Sequence, residues 1–280
     1  VEYDTDGQSV HIVYSDATNG WIPTLDKTVE EVPSKGNKNG IFGFGYVSDS
    51  VSMTNIVSTA GVIATDVSGV GTARYGLGAC EYGGDKGIFS FGEPSKTNLV
   101  SNAGVVATDV TQVGSARYGI SACSYGEDKG IFGFGRTPGT NWDETNLVSS
   151  IGVVGTDVTG VGTDRHYQAA TEYGGDKGIF GYGTTGTVTA ITNLVSNSGV
   201  VATDTSGVGS ARKYLAACRY GTETSIFAYG DTAPGDGSYV SLSNKVSSSG
   251  VVATDVTGVG TARQQLEACE YGDKGIFAYG

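Results

Sequence analysis

The phrase Gly-Ile-Phe-x-(Phe/Tyr)-Gly occurs six times in this chain, opening at Gly40, Gly87, Gly130, Gly178, Ser225 and Gly275, with Ser225 replacing the first glycine in one copy. The isoleucines Ile41, Ile88, Ile131, Ile179, Ile226 and Ile276 follow one another at steps of 47, 43, 48, 47 and 50 residues. A period of this length marks stacked supersecondary units, none of which can bury its apolar face alone. The apolar runs are short and lack a 3.6-residue period, so the units are built of strands. The 280 residues would fill two average domains by length. A continuous repeat predicts one body instead.

One unit shows the pattern. Gly83-Gly84-Asp85-Lys86 lies between two short apolar runs and reads as a hairpin turn. Ile88-Phe89-Ser90-Phe91 is the strand after it. A third strand is expected from Asn98 through Val105-Val106-Ala107, and a fourth over Val110 to Val113. Four short strands per unit predict the blade of a β-propeller. The 46 glycines fall at fixed repeat positions and are turn punctuation, not low complexity.

The net charge of −12 leaves no basic stripe for nucleic acid and disfavours anionic membrane surfaces. No apolar run approaches the ~18 residues of a membrane span, and no leader segment is visible ahead of the repeats. Cys80, Cys123, Cys218 and Cys269 share the slot Ala-Cys-x-Tyr of separate units, and Thr171 fills it in another. Equivalent slots on separate blades are expected to lie beyond the ~7 Å Cα limit for a disulfide. Four reduced thiols packed as small hydrophobes are therefore expected. Cys-x-x-Cys and Cys/His metal spacings are absent, so no metal or other cofactor is expected.

Arg74, Ala79, Ile88-Phe89-Ser90-Phe91-Gly92 and Asn98 resemble the kelch repeat, in the order of that motif, and the other units match. The resemblance covers residues 28–280. It departs from kelch in having one glycine after the aromatic and no tryptophan in strand four. It implies an all-β, six-bladed kelch-like propeller spanning 1–280 as one domain, with repeats at 28–280. The last unit ends after two strands. Residues 1–27 hold two strand-like runs, Ser9 to Tyr14 and Gly20 to Leu25, expected to close that unit and hide its edge. The first blade is then expected to open with a degenerate strand over residues 28–32. Five blades preceded by an N-terminal linker is the alternative.

Asp and Arg recur eight residues apart: Asp66 and Arg74, Asp109 and Arg117, Asp157 and Arg165, Asp204 and Arg212, Asp255 and Arg263. An arginine fork can hold a carboxylate by two parallel bonds. Copies spread over five units read as structural ion pairs that fix turns or join blades. Asp85-Lys86, Asp128-Lys129, Asp176-Lys177 and Asp273-Lys274 read as solvated turn pairs. Asn55, Asn98, Asn146, Asn193 and Asn244 are expected to bond backbone at the entry to strand three. His11 and His166 are the only histidines, and neither has a catalytic or metal partner at a known spacing.

Two segments vary between units. One is the loop after each Phe-Gly strand, at 46–53, 93–96, 136–144, 184–191 and 231–242. The other is the pair of residues after each repeat arginine. The kelch resemblance puts both on one face. Binding residues favour loops on a rigid frame, which makes Tyr75, Tyr118, Trp142, His166, Tyr167, Lys213, Tyr214, Tyr239 and Gln264 the candidate ligand face. Trp142 and Tyr239 are its exposed-looking aromatics, suited to sugar or protein contacts.

The runs Tyr-Gly-Gly-Asp-Lys-Gly-Ile-Phe-Gly-Tyr-Gly at 173–183, Thr-Asn-Leu-Val-Ser-Asn and Gly-Val-Val-Ala-Thr-Asp are similar to those of Gly- and Thr-rich repeat proteins of tailed phages. Val10-His11-Ile12-Val13-Tyr14-Ser15-Asp16 with Gly20-Trp21-Ile22-Pro23 resembles a segment of such proteins too. That resemblance implies a non-enzymatic virion structural or host-attachment module of a tail fibre, in the extracellular virion. Its implied partners are other virion proteins or a cell-surface glycan or protein, with a homo-oligomer allowed. The alternative is a free propeller lectin with one sugar site per blade. A kelch-fold enzyme of the galactose-oxidase kind needs a copper site of Tyr, His and Cys, which two scattered histidines and strand-bound thiols do not supply.

Overall fold

The computed structural model describes residues 11–16, 20–25 and 38–280. The chain divides into two compact units, Val1–Gly36 and Asn37–Gly280. The described part of the first is an antiparallel pair, β1 (His11–Asp16) and β2 (Gly20–Leu25), with Tyr14 opposite Trp21. The expected opening strand over residues 28–32 lies outside the described residues.

The second unit is all-β, and its described residues form no helix. It begins with β3 (Gly40–Tyr46) and β4 (Ser50–Val57). Then come β5 (Gly78–Tyr82), β6 (Lys86–Phe91) and β7 (Lys96–Val100); β8 (Ser121–Tyr125) and β9 (Lys129–Gly133); a small loop hairpin, β10 (Arg136–Thr137) with β11 (Thr140–Asn141); and β12 (Thr145–Val148). The later repeats give β13 (Ala169–Tyr173), β14 (Lys177–Gly181) and β15 (Thr192–Val195); β16 (Ala216–Tyr220), β17 (Thr224–Ala228) and β18 (Ser243–Val246); and β19 (Glu267–Tyr271) with β20 (Lys274–Ala278). Four sheets are three-stranded and antiparallel, with the Ile-Phe strand in the middle. Among the described residues β3 pairs with β4 alone and β20 with β19 alone.

The expected fourth strand does not form. The chain turns back after the third strand at Ser101, whose N–H bonds Val105 O, and touches the sheet only by single bridges, Val100 to Val106 and Thr97 to Val110. The reason lies in the asparagines. Asn98 Nδ2 donates to Ala107 O and to Asp109 Oδ1, both at 2.9 Å, so a side chain takes the place of ladder bonds. Asn55, Asn146, Asn193 and Asn244 repeat the bond to Ala64, Gly155, Ala202 and Ala253.

Successive repeats are fastened by three recurring kinds of contact, of which the described residues show only the ring pair between the first repeat and the second. A Cβ added at Gly130 would collide with Cys80 Sγ of the preceding repeat. The glycine that opens the phrase is there to admit a neighbour's thiol. Gly178 stands likewise against Cys123 and Gly275 against Cys218. Where Thr171 replaces the cysteine, Ser225 of the following repeat replaces the glycine. The backbone bonds Gly83 N–H to Asp128 O, Gly126 to Asp176, Gly174 to Glu223 and Gly221 to Asp273 recur at 2.6–2.8 Å. Ring pairs recur at 5.2–5.7 Å: Phe44 with Phe89, Phe91 with Phe132, Phe134 with Phe180, Tyr182 with Phe227, Tyr229 with Phe277. The last repeat makes all three contacts with the first: Gly40 faces Cys269, Gly272 N–H bonds Lys38 O at 2.9 Å, and Tyr279 meets Phe42 at 5.4 Å.

The repeat arginines hold the seams. Phe44, Phe91, Phe134, Tyr182, Tyr229 and Tyr279 all sit in the left-handed region at φ 63–66°. That conformation costs a bulky residue about 1–2 kcal/mol. Arg117 Nε donates to Phe134 O at 2.7 Å while its guanidinium stacks 4.6 Å from the ring of Phe91, one repeat back. Arg74, Arg165 and Arg212 do the same with Phe91 O, Tyr182 O and Tyr229 O, over the rings of Phe44, Phe134 and Tyr182. Arg263 stacks on Tyr229.

The aspartates are structural but pair across the seam, not at the eight-residue spacing. Arg117 reaches Asp157 at 3.4 Å rather than Asp109. Asp109 accepts from Thr72 N–H and Oγ1, and its nearest arginine is Arg74. Asp157, Asp204 and Asp255 accept in the same way from Ser115, Thr163 and Ser210. Asp66 accepts from Asn55 Nδ2. Contacts between equivalent residues of successive repeats replace contacts along the chain, because strand order stacks repeats side by side.

The turn pairs are surface ion pairs at 2.8–3.0 Å, as the sequence suggests. The thiols are free, and burial pushes all four up, Cys269 to about 12. A thiol held protonated is a poor nucleophile. The folded chain is expected to react with a disulfide reagent at pH 8 at least about tenfold more slowly than the chain in urea. Equal rates would remove the seam packing assigned to these cysteines.

Candidate functional site

The two residues after each repeat arginine lead towards the inner strands β5, β8, β13, β16 and β19, and backbone bonds string the second of each pair together. Gly119 N–H bonds Gly76 O, Tyr167 N–H bonds Gly119 O, Tyr214 N–H bonds Tyr167 O and Gln265 N–H bonds Tyr214 O, at 2.8–3.0 Å. Each of these five residues has φ of 55–64°. Non-glycine residues rarely accept that conformation, yet Tyr167 and Tyr214 hold it under a bond from each side, and Gln265 under a bond to Tyr214. Such strain concentrates at functional sites. Glycine at 119 has a second reason: the ring of Tyr167 lies where a Cβ would go.

The side chains form an aromatic belt over this backbone. Tyr46, Tyr75 and Tyr118 follow one another with centroids 5.8 and 6.1 Å apart. His166 meets Tyr167 at 4.5 Å, and Tyr167 meets Tyr214 at 4.2 Å. The Arg136 guanidinium lies 5.7 Å from the Tyr118 ring and its Nη1 is 3.2 Å from His166 Nε2. Lys213 Nζ lies 5.0 Å from the Tyr214 ring and donates to Pro234 O and Asp236 Oδ1 at 3.2 Å. The four inner tyrosines are half-buried, whereas His166 and Lys213 are each only 6% exposed and sit beneath them.

Burial, then the nearby cations Arg136 and Lys213, pull His166 down to about 4, so it is neutral at pH 7. Burial and the neighbouring Tyr167 hydroxyl push Tyr214 well above the ordinary phenol range. At neutral pH His166 is only a weak base and Tyr214 keeps its proton. The belt offers flat apolar faces, hydrogen-bond donors and positive charge, which suits binding.

Of the nine expected face residues, six converge here: Tyr75, Tyr118, His166, Tyr167, Lys213 and Tyr214. Three do not join the belt. Trp142 is half-buried rather than exposed, because its Nε1 donates to Thr137 Oγ1 across the β10–β11 hairpin at 3.1 Å. Tyr239 is 46% exposed and bridges Asp231 in its own loop. Gln264 makes no ring contact, and its Oε1 is buried without a partner. Arg136 belongs to the belt and was not singled out by the sequence; its signal was the only arginine in a variable loop directly after a Phe-Gly pair.

A second feature lies on the inner strands. Glu81, Ser124, Glu172, Arg219 and Glu270, all in the slot after the cysteine, line a cavity of about 200 Å³. Arg219 holds Glu270 with two bonds of 2.6 and 2.9 Å and Glu172 with one of 2.9 Å. Burial alone would lower Arg219, but Glu270 and Glu172 more than offset it and leave it raised. Its donors are occupied by protein carboxylates, so this cavity is braced, not set for an anion. Among the described residues no cluster of three or more His, Cys, Asp or Glu is placed to hold a metal.

Comparison with protein-family models and with curated proteins finds no match.

Proposed function

We propose that this chain is a non-enzymatic binding module on a six-bladed, kelch-like β-propeller, serving as a virion structural or host-attachment part of a phage tail fibre. The propeller reading draws support from the ring pair that recurs at every seam, and from the thiol–glycine contact and backbone bond that join most successive repeats and again join the last to the first. The virion role rests on the phage-like runs of the sequence.

The observation that carries the binding role is the aromatic belt Tyr75–Tyr118–Tyr167–Tyr214 on a frame otherwise repeated unit by unit. Tyrosine gives rigid, amphipathic contact area at low entropic cost. A lectin with one site per blade needs like residues in like slots. The first slot after the arginine instead reads Tyr75, Tyr118, His166, Lys213 and Gln264, which favours one composite site.

The test is binding of the purified chain to whole microbial cells and their extracted surface glycans. Tyr214→Ala is expected to weaken binding by about tenfold or more, while Tyr239→Ala leaves it unchanged. Binding that survives Tyr214→Ala and Tyr75→Ala together would move the site elsewhere. The absence of binding to any cell or glycan would refute the attachment role.

A further inference from the structure

We infer that the belt between Tyr118 and Tyr214 is a subsite for a carboxylate-bearing sugar, with Arg136 the group that meets the carboxylate. The inference rests on the binding-module reading and deepens it. The chain carries a net charge of −12. Yet Arg136 has no carboxylate within ion-pair distance among the described residues; its contacts are a histidine and an aromatic face.

The hydrogen-bond logic fixes what the site lacks. A guanidinium only donates, so His166 Nε2 must accept from Arg136 Nη1. A neutral imidazole accepting at Nε2 carries its proton on Nδ1. That Nδ1 is buried with no partner, on a side chain 6% exposed. Arg136 Nε, also a donor, is buried with no partner. Lys213 adds an ammonium whose carboxylate, Asp236, is itself largely exposed. The Tyr167 and Tyr214 rings lie 4.2 Å apart beside it. The cluster therefore holds unspent donors and surplus positive charge against flat tyrosine faces.

A ligand that answers all three terms has an anionic acceptor on a ring with apolar C–H faces. A planar carboxylate matches the guanidinium fork, and a pyranose supplies the faces. Inorganic phosphate answers the charge but leaves the rings uncovered.

The experiment is calorimetric titration of the full chain with an oligouronate, the same oligosaccharide with its carboxyls reduced to alcohols, and a sulfated neutral oligosaccharide. The oligouronate is expected to bind about tenfold tighter than the reduced form, and the preference is expected to shrink at 0.5 M salt. Arg136→Gln is expected to abolish the preference, with an unchanged melting curve showing that the variant folds. Equal affinity for the oligouronate and its reduced form overturns the inference, as does a preference that survives Arg136→Gln. Equal affinity for the sulfated chain overturns the assignment to carboxylate. Equal affinity for the two forms, with both lost in Tyr214→Ala, would leave the module reading standing while this one falls, so the two failures are distinguishable.

Discussion

Arg165→Ala is expected to lower stability by about 3–5 kcal/mol, the cost of stripping a partner from a buried charged network. Arg165 is fully buried. Its Nε donates to Tyr182 O at 2.9 Å, Nη1 to Thr163 O at 3.1 Å and Nη2 to Asn193 Oδ1 at 2.7 Å, with the guanidinium 4.0 Å from the Phe134 ring. Burial lowers it to about 10, still charged at neutral pH. Alanine orphans three acceptors, leaves Asp204 without its cation and opens a void between two repeats. Against a total of about 5–15 kcal/mol, the loss is a large share. Arg165→Lys should fare little better, since an ammonium cannot reach three fixed directions and stack at once. Urea unfolding midpoints measure this directly. A shift below about 1 kcal/mol would mean that the guanidinium is not a seam clamp.

Acid should weaken the fold in two separate steps. The first belongs to His166. Unfolded, it takes a proton near pH 6.5; folded, burial with Arg136 and Lys213 holds it off until about 4. Between those values protons favour the unfolded chain, so stability is complete above about 6.5 and falls as pH drops towards 4, by roughly 3 kcal/mol. The second step lies lower. Burial alone would raise Asp109, Asp157, Asp204 and Asp255, but bonds from Thr72, Ser115, Thr163 and Ser210 and from the strand-three asparagines more than offset it and hold them low. Their contribution is present above about pH 4 and lost below it. His166→Gln should flatten the profile from pH 6.5 to 4 and leave the lower step in place. Wild-type and His166→Gln profiles that run parallel from pH 6.5 to 4 would show that His166 takes its proton as readily in the folded chain as in the unfolded one.

The sequence disclosed repeated features that lie within one unit's own turns and strands. Hairpin turns, the Ile-Phe strands and the asparagine bonds each occur five or six times, and repetition separates signal from drift. Partnerships across a seam were harder to read. Asp109 and Arg117 are eight residues apart and look like partners, but Arg117 bonds Asp157 because equivalent positions stack from repeat to repeat. The fourth strand failed for a related reason: Val110 to Val113 have strand propensity, and propensity yields where side chains take over the backbone bonds. Single-copy features were the least legible. Nothing in its spacing sets Arg219 between two glutamates. Trp142 stands in a variable loop and looks exposed until its indole is seen bonded across a two-residue hairpin.

The arginine clamp bears on how such a chain can change over generations. Each guanidinium grips its own repeat and lies on the aromatic ring of the one before. A recombination event that copies or deletes one full period rejoins an arginine to an equivalent ring and, away from the seam of Thr171 and Ser225, a thiol to an equivalent glycine. Local chemistry does not oppose gain or loss of a unit. The variable belt, whose residues differ from unit to unit, would be rearranged by every such event, so recognition can be remade in steps that the frame survives.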